Sequence, residues 1–352
     1  MAKHLPPQRF THHHAELPVF FLKRLNNIYM KYQSIFSLAL LAMAGMLAAS
    51  CNKQAGSAKE AEVTFTVNLA QNPSTKVDGV SEASLIDALD VFVYDAAGSY
   101  LSTVVPTVTK TDQTHYNVRM RLLNNVKYNF VFFAQKSGTY AYAADKKTIT
   151  IDYAAVTANS DAADAFCARV NDYTVSGNFS KSVTLSRPFA QVNFGAAKAD
   201  YQAAEASKVS FDTSLKTAIT LQQVPTVLNL LTGVVSAPQD VAFQPGVYMG
   251  NSAGSETLTV SADAFPGATP VRYLGMVYIL ADANASSPLA KVGLIVSGVQ
   301  NGNAFSSVRE ITNVPVRANY RTQIVGNIFT DEGYFTITVE PAYLSPDNAT
   351  DL

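Results

Sequence analysis

The run EVTFTVNL, residues 62–69, puts Val63, Phe65, Val67 and Leu69 on one side of an extended chain and Thr64, Thr66 and Asn68 on the other. Alternation of β-branched and aromatic residues with polar ones at period two predicts a strand with one buried face. The same texture returns at short intervals in DALDVFVYDAAGSYL, HYNVRMRLL, YNFVFFAQ, KTITID, KSVTL and AQVNFGA. Turn-forming residues punctuate it: DAAG at residues 95–98, and NNVK between two of the strands. Many short strands without regular crossover helices point to sandwiched sheets rather than to βαβ units. The texture changes at AAKADYQAAEASK, residues 196–208, whose alanines predict a short helix. Strand signals then resume in SLKTAITLQ, PTVLNLLTGVVS, ETLTVSA, VRYLGMVYIL, AKVGLIVSG, SSVREITNVPV, YRTQIVGNIFT and YFTITVEPAY. The expected fold is all-β: two tandem β-sandwiches, residues 62–197 and 198–352, with a short helical connector. RPFAQVNFG and YRTQIVGNIF are faintly similar, too weakly to define a repeat.

Residues 30–50 read MKYQSIFSLALLAMAGMLAAS: Lys31, an apolar core, then the small residues Ala48, Ala49 and Ser50 before Cys51. This is the layout of a secretory signal peptide. The apolar part is shorter than the ~20 residues that span a hydrocarbon core, so a transmembrane helix is the weaker reading. A cysteine directly after small residues resembles a bacterial lipobox, in which the thiol of Cys51 receives lipid. Ala48 stands where leucine is usual, and the competing reading is ordinary cleavage beside an incidental cysteine. Residues 1–29 precede the signal and carry no periodic pattern, which makes them a candidate misassigned upstream extension; a long charged leader is the alternative. Residues 51–61 are polar and small, suited to a tether.

Without residues 1–50 the chain keeps 21 basic and 26 acidic residues, near −5 net. A dispersed, mildly acidic balance gives no electrostatic footprint for nucleic acid. Of two cysteines only Cys167 remains after lipidation at Cys51, so no intrachain disulfide forms and packing must supply stability. Cys167 reads as a small buried apolar residue. Four of the five histidines lie in residues 1–29, which leaves His115 alone for any Ser-His-Asp, Cys-His or His-ligated zinc chemistry. His115 sits in an alternating run and reads as a solvent-facing strand residue. The chain has no tryptophan for sugar stacking, although its 17 tyrosines could substitute, and no pair of acids stands out for hydrolysis. Phosphate-cradling glycine motifs are absent. Asp161 and Asp164 are spaced as in a calcium loop, but alanines occupy the other ligand positions. No catalytic residue, metal or cofactor is expected.

The start MKYQSIFSLALLAMAGMLAASC, then DALDVFVYDAAGSYL, VKYNFVFFAQ, DAFCARVNDYTVSGNFSKSVTLSRPFAQVNFGA, VPTVLNLLTGVV and VPVRANYRTQIVGNIFT together resemble the fimbrillin-like lipoproteins of Bacteroidota, which include type V pilus subunits. The resemblance is to a poorly characterised branch of that superfamily and spans nearly all of residues 30–330. It implies transthyretin-like sandwiches, lipid anchoring in the outer membrane at the cell surface or in a fimbrium, and partnership with other pilus subunits by strand exchange. A host or bacterial surface ligand is a further implied partner. In stalk subunits a protease removes the first strand, here the one carrying Val63, Phe65, Val67 and Leu69, and a neighbour's strand fills the groove. The corresponding donor is the terminal run with Phe335, Ile337 and Val339 on one face; the alternative is that both are ordinary strands of their own domains. Cleavage in the family often follows an arginine, but this chain has none between Cys51 and Arg119, which leaves Lys76 as the candidate site. Uncut, the protein would be an anchor, a tip or a stand-alone surface lipoprotein that binds glycan or host protein. Substituting Cys51→Ala is expected to release the protein from cell membranes on fractionation; continued membrane retention would refute the lipid anchor.

Overall fold

The computed structural model describes residues 59–70, 86–247, 272–283, 287–330 and 335–340. In order, the strands are β1 (Glu60–Leu69), β2 (Ala88–Asp95), β3 (Thr107–Lys110), β4 (His115–Leu123), β5 (Val126–Gln135), β6 (Thr148–Thr150), β7 (Ala165–Val175), β8 (Phe179–Leu185) and β9 (Phe189–Ala196). Helix α1 (Lys198–Ala206) follows, then β10 (Lys216–Asn229), β11 (Val235–Ala242), β12 (Gly246–Val247), β13 (Arg272–Leu280), β14 (Ser287–Gln300), β15 (Asn303–Val316), β16 (Arg321–Gly326) and β17 (Phe335–Glu340). Among the described residues no helix is long and apolar enough to cross a membrane.

The strands form two tandem β-sandwiches. In the first, sheet β3-β4-β1-β8 faces sheet β2-β5-β7. The alternation read in the sequence is the alternation of burial: along β1, Ala61, Val63, Phe65, Val67 and Leu69 point inward, and along β4 so do Tyr116, Val118, Met120 and Leu122. Phe65 is the hub of this core, with ring centroids 5.0 Å from both Phe130 and Phe132 and 5.7 Å from Phe179. In the second sandwich, sheet β11-β10-β14-β15 packs on sheet β13-β9-β16-β17, and β6 and β12 pair with β10.

Two strands lack alternation for a reason that packing explains. In β5, YNFVFFAQ is buried throughout: Tyr128, Phe130, Phe132 and Ala134 enter the first core, while Val131 and Phe133 enter the core shared with the second sandwich. The outer face of β2-β5-β7 is thus an inner face of the molecule. Every residue of β9 is buried as well. This strand corrects the sequence-based division of the chain. Assigned by sequence to residues 62–197, it pairs instead with β13 and β16 of the second sandwich, so the sheets change over at Arg187 and Pro188. Helix α1 accordingly lies inside the second sandwich rather than between the two.

The sandwiches share a strand plan that no side-chain repeat announces. In each, one strand (β1, β9) lies between an antiparallel neighbour (β4, β13) and a parallel one (β8, β16). The faintly similar runs at β9 and β16 are neighbours within one sheet, not counterparts in two domains. Turn chemistry supports the frame. Asp95 Oδ1 accepts from Ala97 and Ser99 N–H at 2.9 and 2.8 Å, and the β14–β15 hairpin turns on Asn301 and Gly302, both at positive φ as a two-residue hairpin requires.

Because one core spans the face of β2-β5-β7 and the second sandwich, the two should melt together. Phe133→Ala is expected to cost about 3–5 kcal/mol and to lower a single denaturation transition. Two separated transitions, with only one of them shifted, would contradict the shared core.

Candidate functional site

The sequence pattern singles out two strands, and the structure places them at contrasting positions. β1 is interior to its sheet: it pairs antiparallel with β4 from Glu60↔Leu123 to Asn68↔His115, and parallel with β8 from Val63↔Phe179 to Leu69↔Leu185. Val63, Phe65 and Val67 are 0% exposed. Each such side chain contributes about 1.5–3 kcal/mol through burial, so the slot that β1 fills is both hydrogen-bonded along its length and lined with apolar surface. β17 instead ends its sheet, paired with β16 from Gly326↔Phe335 to Arg321↔Glu340. Phe335 and Ile337 pack against the second core while partly exposed, and Val339 is likewise half-buried. β1 and β17 do not pair with one another. Cys51 and Lys76 lie outside the described residues.

The chain that leads into β17 is held by a device the sequence did not disclose. Asp200, buried on α1, accepts the N–H of Ile328 at 2.6 Å, of Phe329 at 3.0 Å and of Thr330 at 2.9 Å, together with the Thr330 hydroxyl at 2.8 Å. Three successive backbone donors converging on one carboxylate make an anion nest occupied by the protein's own side chain. From the other side, Arg309 donates to the carbonyls of Asn327 at 3.1 Å and Thr330 at 2.5 Å. The helix is fixed in turn by Arg272 of β13, which pairs with Glu205 at 2.7 Å and stacks on Tyr201 at 4.7 Å.

The joint between sandwiches carries a deeply buried ion pair. Arg187 donates to Asp164 in a fork, Nε to Oδ1 and Nη2 to Oδ2 both at 2.8 Å, with the guanidinium 4.2 Å from the centre of the Phe166 ring. The side chains are 3% and 2% exposed. Burial pushes the Asp164 carboxyl up, and the Arg187 charge and hydrogen bonds pull against it. The Arg187 N–H also reaches Asn319 Oδ1 at 3.2 Å, which ties the joint to the second sandwich. The aspartate spacing that suggested a calcium loop thus includes a residue whose partner is a guanidinium.

His115 stands at the exposed start of β4, with Nδ1 2.8 Å from Asp112. The Thr114 N–H, then the His115 side chain, hold the Asp112 carboxyl at about 2. This is turn chemistry at a hairpin. Cys167 is a free, buried thiol pushed up by burial, its N–H and carbonyl exchanging hydrogen bonds with Ser186. Among the described residues no three His, Cys, Asp or Glu side chains gather as a metal site.

Residues 54–352 match the sequence model of a family described as of unknown function, DUF6562. The chain belongs to the DUF6562 family. No curated protein matches this DUF6562 member. Among solved structures it is similar to the tip fimbrial protein Mfa3 from Porphyromonas gingivalis with C-terminal truncation, at 10% identity and TM-score 0.42, covering 80% of this chain and 99% of that one. It is also similar to a fimbrial assembly protein from Parabacteroides distasonis, at 13% identity and TM-score 0.37, covering 80% and 96%.

Removing one partner of a buried pair strands the other charge, so Arg187→Ala should destabilise the DUF6562 fold by about 3–5 kcal/mol, whereas Arg187→Met with Asp164→Leu should recover most of the loss. Equal stability of Arg187→Ala and wild type in urea titration would show that the pair does not hold the joint.

Proposed function

We propose that this protein is a non-enzymatic fimbrial or adhesive subunit, exported as a lipoprotein through Cys51 and assembled by exchange of β-strands. The observation that carries the reading is the position of β1: first among the described strands, interior to its sheet, and inserted between two strands that do not need it for chain continuity. Its topological counterpart β9 continues at both ends, into Arg187 on one side and α1 on the other, so only β1 can leave after a single cut. A cut between Leu69 and Ile86, for which Lys76 is the candidate, would separate β1 from the body and expose a groove lined by Val118, Phe130, Phe132 and Leu185. The edge strand β17, with Phe335, Ile337 and Val339 alternating along one face, supplies a complementary insert for a neighbour's groove. The resemblance of the signal, strand and terminal segments to fimbrillin-like lipoproteins supports the same reading, as does the location at the outer membrane or in a fimbrium that it implies.

Limited digestion with a trypsin-like protease tests this. The expected outcome is loss of β1 followed by ladders that resist SDS. Ile337→Asp should abolish the ladder. Cut protein that stays monomeric at high concentration would overturn assembly by strand exchange and leave a solitary surface module.

A further inference from the structure

On the solvent face of the first sandwich the chain leaves its sheet early and opens a cleft. β4 runs from His115 to Leu123, but β3 accompanies it only from Tyr116 to Arg119. Beyond that point, at Met120 and Arg121, the β4 edge has no paired strand among the described residues. Pro106 stands where the pairing ends; it lacks an N–H and biases Val105 before it to extended backbone. Val104 turns in against the core and Val105 is left 80% exposed. The space between this loop, β4 and β1 is a cleft of about 560 Å³.

Its chemistry is unlike that of the rest of the sheet, where threonine, serine and asparagine dominate the outward positions. Arg119 and Arg121 project from the floor on the same face, about 7 Å apart at the backbone by strand geometry. Neither makes an ion pair or side-chain hydrogen bond among the described residues, although Glu62 lies directly across from Arg121 in the ladder. Glu60 and Glu62 form one wall, and Thr103 and Thr107 offer hydroxyls on the other. No aromatic side chain lines the cleft.

We propose that this cleft binds an acidic saccharide, a sugar bearing a carboxylate. Guanidinium forks match a carboxylate in two parallel hydrogen bonds, which a neutral sugar cannot supply. Free carboxylates at Glu60 and Glu62 accept neighbouring sugar hydroxyls, and the threonines complete a polar rim. Without an aromatic platform an uncharged sugar has little to hold it, so the acid group supplies the affinity. The cleft belongs to the uncut chain, because Glu60 and Glu62 lie on β1, the strand that cleavage would remove.

The test is calorimetric titration of the full chain with trigalacturonate and with its uncharged counterpart, α-1,4-galactotriose. Trigalacturonate should bind at least about tenfold more tightly, and Arg119→Ala with Arg121→Ala should weaken it by about tenfold or more, the order expected for losing charged hydrogen bonds. Both arginines are exposed, so the melting temperature should not change. Absent binding of trigalacturonate, equal binding of the two sugars, or a double arginine variant that binds as wild type would overturn the proposal. So would a tri-glutamate peptide that binds as tightly as the saccharide, because the cleft would then read charge alone.

Discussion

Strand β5, central in sheet β2-β5-β7, is buried on both sides from Tyr128 to Gln135, and most of the architecture follows from that. One face, through Phe130 and Phe132, closes the first sandwich; the other, through Val131 and Phe133, belongs to the core of the second. A sheet in that position cannot be amphipathic, so β5 must be apolar along its length, and the domains cannot separate without exposing a ring-lined surface. The joint at Arg187 is the polar complement of the same constraint. Where the chain crosses from one sheet system to the next, backbone and side chains leave the ladders, and a forked ion pair together with the Asn319 amide satisfies groups that water cannot reach.

This rigid pairing also decides which segments of the molecule can act as movable pieces. β9 and β1 occupy equivalent places, yet β9 is held by covalent continuity on both sides and complete burial, whereas β1 is the first of the described strands. At the far end, the Asp200 nest and Arg309 clamp residues 327–330, so β17 departs from a fixed point. The first and last described strands are therefore joined through a core that runs between the sandwiches.

Much of this was legible in the residues. Period-two alternation located β1, β4 and β15, and the turn residues at Asp95 to Gly98 and in NNVK marked corners. Legibility failed where burial became two-sided. FAQVNFGA looks like one more strand of the series, and nothing in its composition says which sandwich owns it, because parallel pairing with β16 connects residues 130 positions apart (Gln191↔Arg321). Asp164 was read by its spacing from Asp161, whereas its role is set by Arg187, which arrives from a different strand connection. Asp200, inside an alanine-rich helix, gave no local sign of a task that depends on backbone N–H groups brought in from residues 328–330. Arg119 and Arg121 were visible as basic residues on the polar register of HYNVRMRLL; what could not be read was that β3 would end at Thr107 and uncover them.

The orientation of β1 has a mechanical corollary. A pull exerted on the amino-terminal end of this strand acts along its axis, and both ladders, antiparallel to β4 and parallel to β8, then resist in shear. All the bonds in a sheared ladder must stretch together, whereas those at a peeled hairpin break in succession. Traction applied at residue 59 would therefore load both ladders along their length.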